Sequence, residues 1–182
     1  MKIERSDIFA LSMRARPWIA DGIVEHQHFI FEGGIDTERR LEHFMAQLAH
    51  ESAGFDTTCE YASGKAYEGR RDLGNVKPGD GPRYRGHGLI QTTGRANHRA
   101  ATIGIRKLVP GAPDFEADPW GLTKMPWALL SGVFYWQSHN INRFAEREDI
   151  RGVTKAINGG YNGLADRMRY RERARGLFKE VA

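Results

Sequence analysis

Carboxylates clustered in the first half of the chain are the residues whose types and spacing first suggest chemistry. Glu51 is followed nine residues later by Glu60, and Glu68 and Asp72 come soon after. Cleavage of a glycosidic bond uses two carboxyl groups, one to protonate the leaving oxygen and one to activate water. The chain has 23 acidic residues, so nearby carboxylates also arise by chance. The spacing alone therefore only suggests a glycosidase.

Glu51 lies near the end of a predicted amphipathic helix that starts after Asp36, a plausible N-cap, and closes at Gly54. The apolar residues recur at helical spacing: Leu41, Phe44, Met45, Leu48 and Ala49. On a helical wheel Glu51 is about 80° from Leu41, at the margin of this stripe. Partial burial and the negative helix end both favour a protonated carboxyl, as a general acid requires. On this pattern alone, however, a boundary residue that pairs with an arginine is the stronger interpretation.

Other segments must position these residues. A helix is predicted over Pro17 to Phe31, ended by Gly33, and the glycine-rich stretch from Ala62 to Pro82 is predicted to be a long ordered loop. Further along, the patterns predict a short strand or hairpin edge within Arg83 to Gln91, a helix from about Thr93, a buried helical region after Asp118, a short helix over Asp149 to Ile157, and an arginine-rich helix over Leu164 to Val181.

Composition bounds the class of protein. A chain of 182 residues with 40% apolar residues suits one domain, or one domain in two lobes. The single cysteine, Cys59, excludes an intrachain disulfide and a cysteine-based metal site, and we interpret it as a small buried residue. No HExxH motif is present, and His43 and His50 are predicted to face solvent. We therefore expect neither metal nor cofactor.

Charge and the chain start bear on partners and location. The net charge of +4 favours anionic partners. The start of the chain lacks the apolar run of a signal peptide, so we expect synthesis in a cytoplasm. The arginine-rich C-terminal helix is most simply a solvated face, and a sharper hypothesis is contact with an anionic outer membrane.

Several blocks of sequence resemble the catalytic domain of glycoside hydrolase family 19, in the family's order. They are His50 to Phe55, Glu60 to Gly64, Tyr67 to Arg70, Leu73 to Asn75, Pro78 to Gly81, Arg83 to Asn97, Ile157 to Gly160 and Asn162 to Arg167. The compact form without cysteine pairs resembles the phage endolysin branch of that family.

The resemblance implies roles for individual residues. Glu51 matches the catalytic acid, Glu60 the second carboxylate or base, and Thr93 the hydroxyl that holds the attacking water. Glu68 is the rival for the base, with Glu60 preferred. Substrate-binding positions are implied at Tyr61, Glu68, Gln91, Asn97, Asn158 and Arg167, and Arg167 matches an arginine that lies near the acid. His87 stands where the family commonly has arginine; it either alters the electrostatics of the cleft or is a tolerated surface change.

We accordingly expect a mainly α (α+β, lysozyme-like) fold, with two helical lobes flanking a substrate cleft and at most a short β-hairpin. Residues 1–182 would form one catalytic domain without a separate wall-binding domain. The expected function is that of a monomeric endolysin that hydrolyses β-1,4 bonds of peptidoglycan in the periplasm by an inverting mechanism. The alternatives are a chitinase acting on chitin and a non-catalytic wall-binding module. Nucleic acid is not an expected partner.

Overall fold

The computed structural model describes residues 1–178, which fold into helices joined by ordered loops. The α-helices in chain order are α1 (Arg5–Leu11), α2 (Pro17–Glu25), α3 (His28–Glu32), α4 (Glu38–Glu51), α5 (Asp80–Arg83), α6 (Arg95–Leu108), α7 (Trp127–Ser138), α8 (Asn142–Ala145), α9 (Ile150–Asn158) and α10 (Leu164–Ala174). Short 3-10 helices cover Lys65–Tyr67, Arg71–Leu73 and Pro119–Thr123. The mainly α fold is thus confirmed.

Two hydrophobic clusters organise these helices, and α7 contributes to both. Leu129, Val133 and Trp136 of α7 pack into the larger cluster, with residues from α1 to α4 and from α8 to α10. Leu130 packs into the smaller cluster with Ala101 and Ile105 of α6 and with the segment from residue 112 to 122. A helix that is apolar on all sides suits this shared position. The two lobes therefore meet along α7.

The first part of the chain differs in detail from the pattern-based prediction. The helix predicted over Pro17 to Phe31 divides into α2 and α3, because the side chain of Gln27 donates to the Val24 carbonyl (2.8 Å) and exchanges hydrogen bonds with the backbone of Ile3. The N-cap of α4 is Thr37, whose hydroxyl accepts from the Arg40 amide at 3.3 Å. Asp36 pairs with the Arg40 guanidinium instead, at 2.6 Å.

The middle of the chain contains the long ordered loop that was predicted. No strand forms within residues 1–178; two isolated bridges join His87 to Cys59 and to Thr92. Positive φ angles at Gly88 (80°) and Gln91 (56°) interrupt the extended conformation that a strand within Arg83 to Gln91 would need.

The last two helices form the element that faces α4. Helix α9 starts at its N-cap Asp149, which accepts from the Gly152 amide at 2.8 Å, and ends at Gly159 in the left-handed region. Helix α10 packs along α4 and ends at Ala174, earlier than predicted, before a turn in which Gly176 has φ 70°. The remainder of the predicted helix, from Lys179 to Val181, lies outside the described residues. No helix in the described part of the chain is long and apolar enough to cross a membrane.

Candidate active site

One pocket brings together carboxylates and amides from distant parts of the chain. It has a volume of about 410 Å³. Its lining consists of Glu51 at the end of α4, Glu60 and Tyr67 in the following loop, Ile90, Gln91 and Thr93 before α6, and Ile157 and Asn158 at the end of α9. Five of the residues singled out from sequence thus share one pocket: Glu51, Glu60, Gln91, Thr93 and Asn158.

Glu51 forms an ion pair inside this pocket. Its Oε1 accepts from Nη2 of Arg167 at 2.5 Å, and Nη1 of the same guanidinium donates to Gln47 Oε1, also at 2.5 Å. The Arg167 side chain is only 1% exposed, and that of Glu51 is 16% exposed. Glu51 is therefore a boundary residue paired with an arginine, as the stronger interpretation of its helical position predicted, and it also lines the pocket.

Glu60 is fixed by donors on both of its carboxylate oxygens. The Tyr67 hydroxyl donates to Oε1 and the Gly86 amide donates to Oε2, each at 2.9 Å. The Glu60 amide in turn donates to the Gly86 carbonyl at 2.8 Å. Burial, followed by the hydrogen bond to Glu60, raises the pKa of Tyr67 above its usual value. Tyr67 was missed as a site residue, although it belongs to one of the sequence blocks noted above.

Thr93 and Gln91 lie on a tightly constrained turn. The Thr93 hydroxyl donates to the Gln91 carbonyl at 2.9 Å, and the Gln91 side-chain amide donates to the Gly88 carbonyl at 3.0 Å. The backbone of His87 pairs with that of Thr92 through two hydrogen bonds, of 3.1 and 2.8 Å. This pairing joins the turn to the segment that holds Glu60.

Three of the other predicted substrate-binding residues lie elsewhere. Asn97 is exposed, donates to the Thr93 carbonyl at 2.7 Å, and lines an adjoining cavity of about 580 Å³ that shares Gln91, Thr93 and Asn158 with the pocket. Tyr61 lies at the surface and donates to Asp56 at 2.5 Å. Glu68 does not line the pocket: its carboxylate accepts from the amides of Gly79 and Gly81, each at 2.7 Å, and fastens the glycine-rich loop.

The sequence of this chain is similar to that of a protein of known family. A curated protein of Haemophilus influenzae strain Rd, described as a glycosyl hydrolase family 19 domain-containing protein, is 34% identical over 157 residues, covering 69% of this chain and 74% of the relative. The chain belongs to glycoside hydrolase family 19. No protein-family model matches the chain.

Solved structures agree with the family 19 assignment at the level of the fold. Chitinase C from Streptomyces griseus HUT6037 matches with a TM-score of 0.72 and 16% identity, over 96% of this chain and 91% of that chain. A mutant of chitinase C matches with a TM-score of 0.69 and 15% identity, over 96% of this chain and 76% of that one. The protein is a glycoside hydrolase, and its family implies a polysaccharide substrate such as chitin or peptidoglycan.

In this family 19 chain, His87 is a buried structural residue rather than a surface change. It is fully buried, its Nδ1 lies 3.0 Å from Nε2 of His98, and its ring packs beside Trp120 with centroids 5.1 Å apart. Burial, and then the neighbouring His98, lowers the pKa of His87 to about 3, so the ring is neutral at physiological pH.

The prediction that His43 and His50 face solvent is wrong. His43 is completely buried and its Nε2 lies 3.3 Å from Glu148, because α10 and the loop before α9 cover that side of α4. Burial lowers the pKa of His43 to about 4. His50 is half-buried, and its Nδ1 lies 2.7 Å from Asp166 of α10. Cys59 is partly buried, and no cluster of three metal-ligating side chains occurs among residues 1–178.

Proposed function

We propose that this glycoside hydrolase cleaves β-1,4 bonds of peptidoglycan by an inverting mechanism, with Glu51 as general acid and Glu60 as general base. The observation that carries the proposal is the convergence of two carboxylates from separate elements on one pocket, with the Thr93 hydroxyl beside them. An inverting glycosidase needs this set: an acid, a base and room for a water molecule between them.

Glu51 is assigned the role of the acid, and its contact with Arg167 favours the carboxylate that is left after the proton has been transferred. It protonates the leaving glycosidic oxygen while the bond to the anomeric carbon breaks, and it remains as a carboxylate. The guanidinium of Arg167, at 2.5 Å, stabilises that negative charge. Because Arg167 is buried and also bound to Gln47, it holds the Glu51 side chain in one position.

Glu60 and Thr93 together can orient the attacking water. The single hydroxyl proton of Thr93 is donated to the Gln91 carbonyl, so its oxygen offers only lone pairs to the pocket and accepts one hydrogen of the water. The other hydrogen then points to Glu60, which keeps free lone pairs beside its bonds to Tyr67 and Gly86. Glu60 takes that proton as the water oxygen attacks the anomeric carbon from the opposite face.

Peptidoglycan is preferred as the substrate because of the basic charge of the chain and its resemblance to the endolysin branch. The proposed setting is lysis of a host wall from inside, after a membrane-permeabilising partner gives access to the periplasm. Chitin is the second candidate, because the two matching solved structures are named chitinase C. A non-catalytic wall-binding module has no need of two carboxylates and an orienting hydroxyl in one pocket.

Contact of α10 with an anionic outer membrane stays a prediction, and fewer arginines can take part in it than the sequence suggested. Arg167 and Arg171 are buried in the protein and unavailable to a membrane. Up to residue 178, the basic side chains that stay exposed are those of Arg169, Arg173 and Arg175, beside the half-exposed Met168 and the exposed Glu172.

The deciding experiment measures release of reducing ends from purified peptidoglycan and from chitin. Glu51→Gln and Glu60→Gln are expected to lose about 10²- to 10⁴-fold in kcat, the usual effect of removing a general acid or base. Glu68→Gln separates the two candidate bases and is expected to stay within about tenfold of the wild type, because Glu68 lies outside the pocket.

Other outcomes would change the assignment of the acid, the base or the stereochemistry. Full activity in a folded Glu51→Gln protein removes Glu51 from the mechanism, and a larger loss in Glu68→Gln than in Glu60→Gln makes Glu68 the base. NMR of the first product formed tests the stereochemistry: α-anomeric ends from the β-linked polymer indicate inversion, and β-anomeric ends contradict it. Binding to either polymer without release of reducing ends favours the wall-binding module.

A further inference from the structure

A second groove, of about 850 Å³, shares no lining residue with the catalytic pocket. It nevertheless lies beside the segment that carries Glu60. Arg85, which lines the groove, donates from Nε to the sulfur of Cys59 at 3.3 Å, and Cys59 directly precedes Glu60. The residue after Arg85 is Gly86, whose amide holds the Glu60 carboxylate. Arg85 in the groove and Glu60 in the pocket therefore belong to one pair of hydrogen-bonded backbone segments.

The acidic residues at one end of the groove are already neutralised. Asp80 pairs with Arg95 at 2.5 Å, and Glu116 pairs with Arg99 at 2.6 Å and with Arg95 at 3.4 Å. The Arg99 guanidinium is the main cause that lowers the pKa of Glu116 to about 2. These ion pairs build a rigid wall with little net charge.

What remains in the groove is mainly positive. Lys77, Arg83 and Arg85 line it, and among the described residues they form no ion pair. They are opposed by Asp114, whose Oδ1 accepts from the amides of Glu116 and Ala117. Three cations against one carboxylate make this groove suited to an anionic ligand.

The guanidinium of Arg85 is preorganised to bind a carboxylate. Its guanidinium lies over the ring of Trp120, 4.8 Å from the centroid, and Trp120 is 47% exposed. With Nε bound to Cys59, the orientation of the guanidinium plane is set, while its terminal nitrogens donate to no acceptor within residues 1–178. A guanidinium held in this way loses little side-chain freedom when a carboxylate binds it in bidentate geometry.

We propose that this groove binds the peptide stem of peptidoglycan, with Arg85 on Trp120 as the ligand of a stem carboxylate. The proposal rests on peptidoglycan being the substrate, and it names the part of the polymer that chitin lacks. The stem hangs from the lactyl group of the sugar and carries free carboxylates. An extended stem of four or five residues spans roughly 13 to 18 Å. Arg85 and Glu60 lie on segments joined by the hydrogen bond from the Glu60 amide to the Gly86 carbonyl, and the proposal requires a stem to reach Arg85 from a glycan bound beside Glu60.

The test compares kinetics on two forms of the same polymer: strands with intact stems, and strands from which an amidase has removed the stems. Arg85→Gln is expected to raise KM for the intact strands by about tenfold, the range for one charge-assisted hydrogen bond, with kcat unchanged. On the stripped strands Arg85→Gln is expected to match the wild type. Arg85→Lys keeps the charge without the bidentate geometry and should recover only part of the loss.

The matched control is Arg143→Gln. Like Arg85, Arg143 stacks on an aromatic ring, 4.6 Å from the centroid of Phe144, and it lines neither the groove nor the catalytic pocket. Arg143→Gln should therefore have the KM and kcat of the wild type on both substrates. Equal kinetics of Arg85→Gln and wild type on intact strands overturn the proposal. So does an equal loss on both substrates, which would indicate damage to Glu60 instead.

Calorimetric titration of the whole protein with a soluble stem tetrapeptide separates this proposal from the choice of substrate. Saturable binding by the wild type that is lost in Arg85→Gln supports the groove assignment. Absence of binding overturns it, even where the wild type degrades peptidoglycan. A wild type that cleaves chitin but not peptidoglycan refutes the proposed substrate, and with it the role of the groove in hydrolysis.

Discussion

The Glu51–Arg167 contact shows how a buried charge can serve a catalytic carboxyl. An arginine that is only 1% exposed needs a partner, because an unpaired buried charge costs several kcal/mol. Gln47 supplies a neutral acceptor and Glu51 the compensating charge. The carboxylate is therefore fixed by the packing of α4 against α10, and it does not depend on bound substrate for its orientation.

The His87–His98 pair has one consistent arrangement of protons. The carbonyl of Gly94, 2.9 Å from Nδ1 of His98, can only accept, so that nitrogen carries the hydrogen. Nε2 of the neutral His98 then accepts from Nδ1 of His87 at 3.0 Å. Nε2 of His87 is left as a buried lone pair without a donor among the described residues. A proton added to Nε2 of His98 would force His87 into its other tautomer, with a buried Nε2–H that has no acceptor among the described residues, so burial favours the neutral pair.

This pair predicts a stability that depends on pH. Burial lowers the pKa of His98 to about 4 and that of His87 to about 3, whereas histidines in the unfolded chain titrate near 6.5. Between roughly pH 6.5 and pH 4, His87 and His98 are therefore protonated in the unfolded state but neutral in the folded state. The free energy of unfolding should fall as the pH is lowered through this range, by up to about 1.4 kcal/mol per pH unit for each histidine.

Urea unfolding at pH 7, 6, 5 and 4 measures this dependence. His98→Gln is expected to unfold more easily at pH 7 but to show a shallower slope with pH. His28→Gln, at an exposed position on α3, is the control and should keep the wild-type slope. An unchanged slope in His98→Gln would show that the buried pair does not contribute to acid sensitivity.

At the scale of the elements, the junction of α4 and α10 depends on a glycine. Gly163 is the N-cap of α10 with φ 72°, and a Cβ at this position would lie 2.3 Å from Cε1 of His50. Gly159, at the C-cap of α9, has nearly the same backbone conformation (φ 75°), but a Cβ there would meet nothing within 4 Å. Substitution at Gly159 introduces backbone strain alone, whereas substitution at Gly163 introduces the same strain and a steric clash with His50.

Gly163→Ala and Gly159→Ala are therefore expected to differ. Both introduce a side chain in the left-handed region, at a cost of about 1–2 kcal/mol. Gly163→Ala also displaces His50, which adds about 1–3 kcal/mol of overpacking and disturbs the residue before Glu51. Thermal unfolding and kcat on peptidoglycan measure both effects, and kcat should fall only in Gly163→Ala. Equal stability and kcat in the two variants would mean that His50 moves aside without consequence.

At the scale of the whole molecule, the pocket is built from both lobes. The Glu51 and Asn158 ends of α4 and α9 belong to the lobe of the larger cluster, whereas Thr93 leads into α6 of the smaller one. A glycan in the pocket would therefore contact both lobes at once.

Hydrogen exchange can detect this bridging. In Glu51→Gln protein, an oligomer of N-acetylglucosamine should slow amide exchange both in residues 86–93 and in residues 156–163, because the ligand restricts opening on both sides. Amides of α1, which contributes no residue to the pocket lining, serve as the control. Protection confined to one of the two segments would place the ligand outside the shared pocket.

The local sequence was sufficient for much of this protein. Apolar spacing predicted α4 and α9 nearly to their ends, because an amphipathic helix records which of its faces is buried. The order of the sequence blocks indicated family 19, and the spacing of Glu51 and Glu60 suggested a glycosidase. The helical spacing and the carboxylate spacing depend on residues within a few turns of each other, so the local sequence contains them.

Only the tertiary structure decided which side chains meet. Glu60 rather than Glu68 lines the pocket because the glycine-rich loop turns the Glu68 carboxylate onto its own amides. His43 is buried because a second layer of helices covers the polar side of α4, which a single-helix wheel cannot foresee. The resemblance implied an arginine near Glu51, but the local sequence does not, because the Arg167–Glu51 contact joins residues 116 positions apart. Helical periodicity specifies the faces of each helix, whereas contacts over such separations depend on how the whole chain packs.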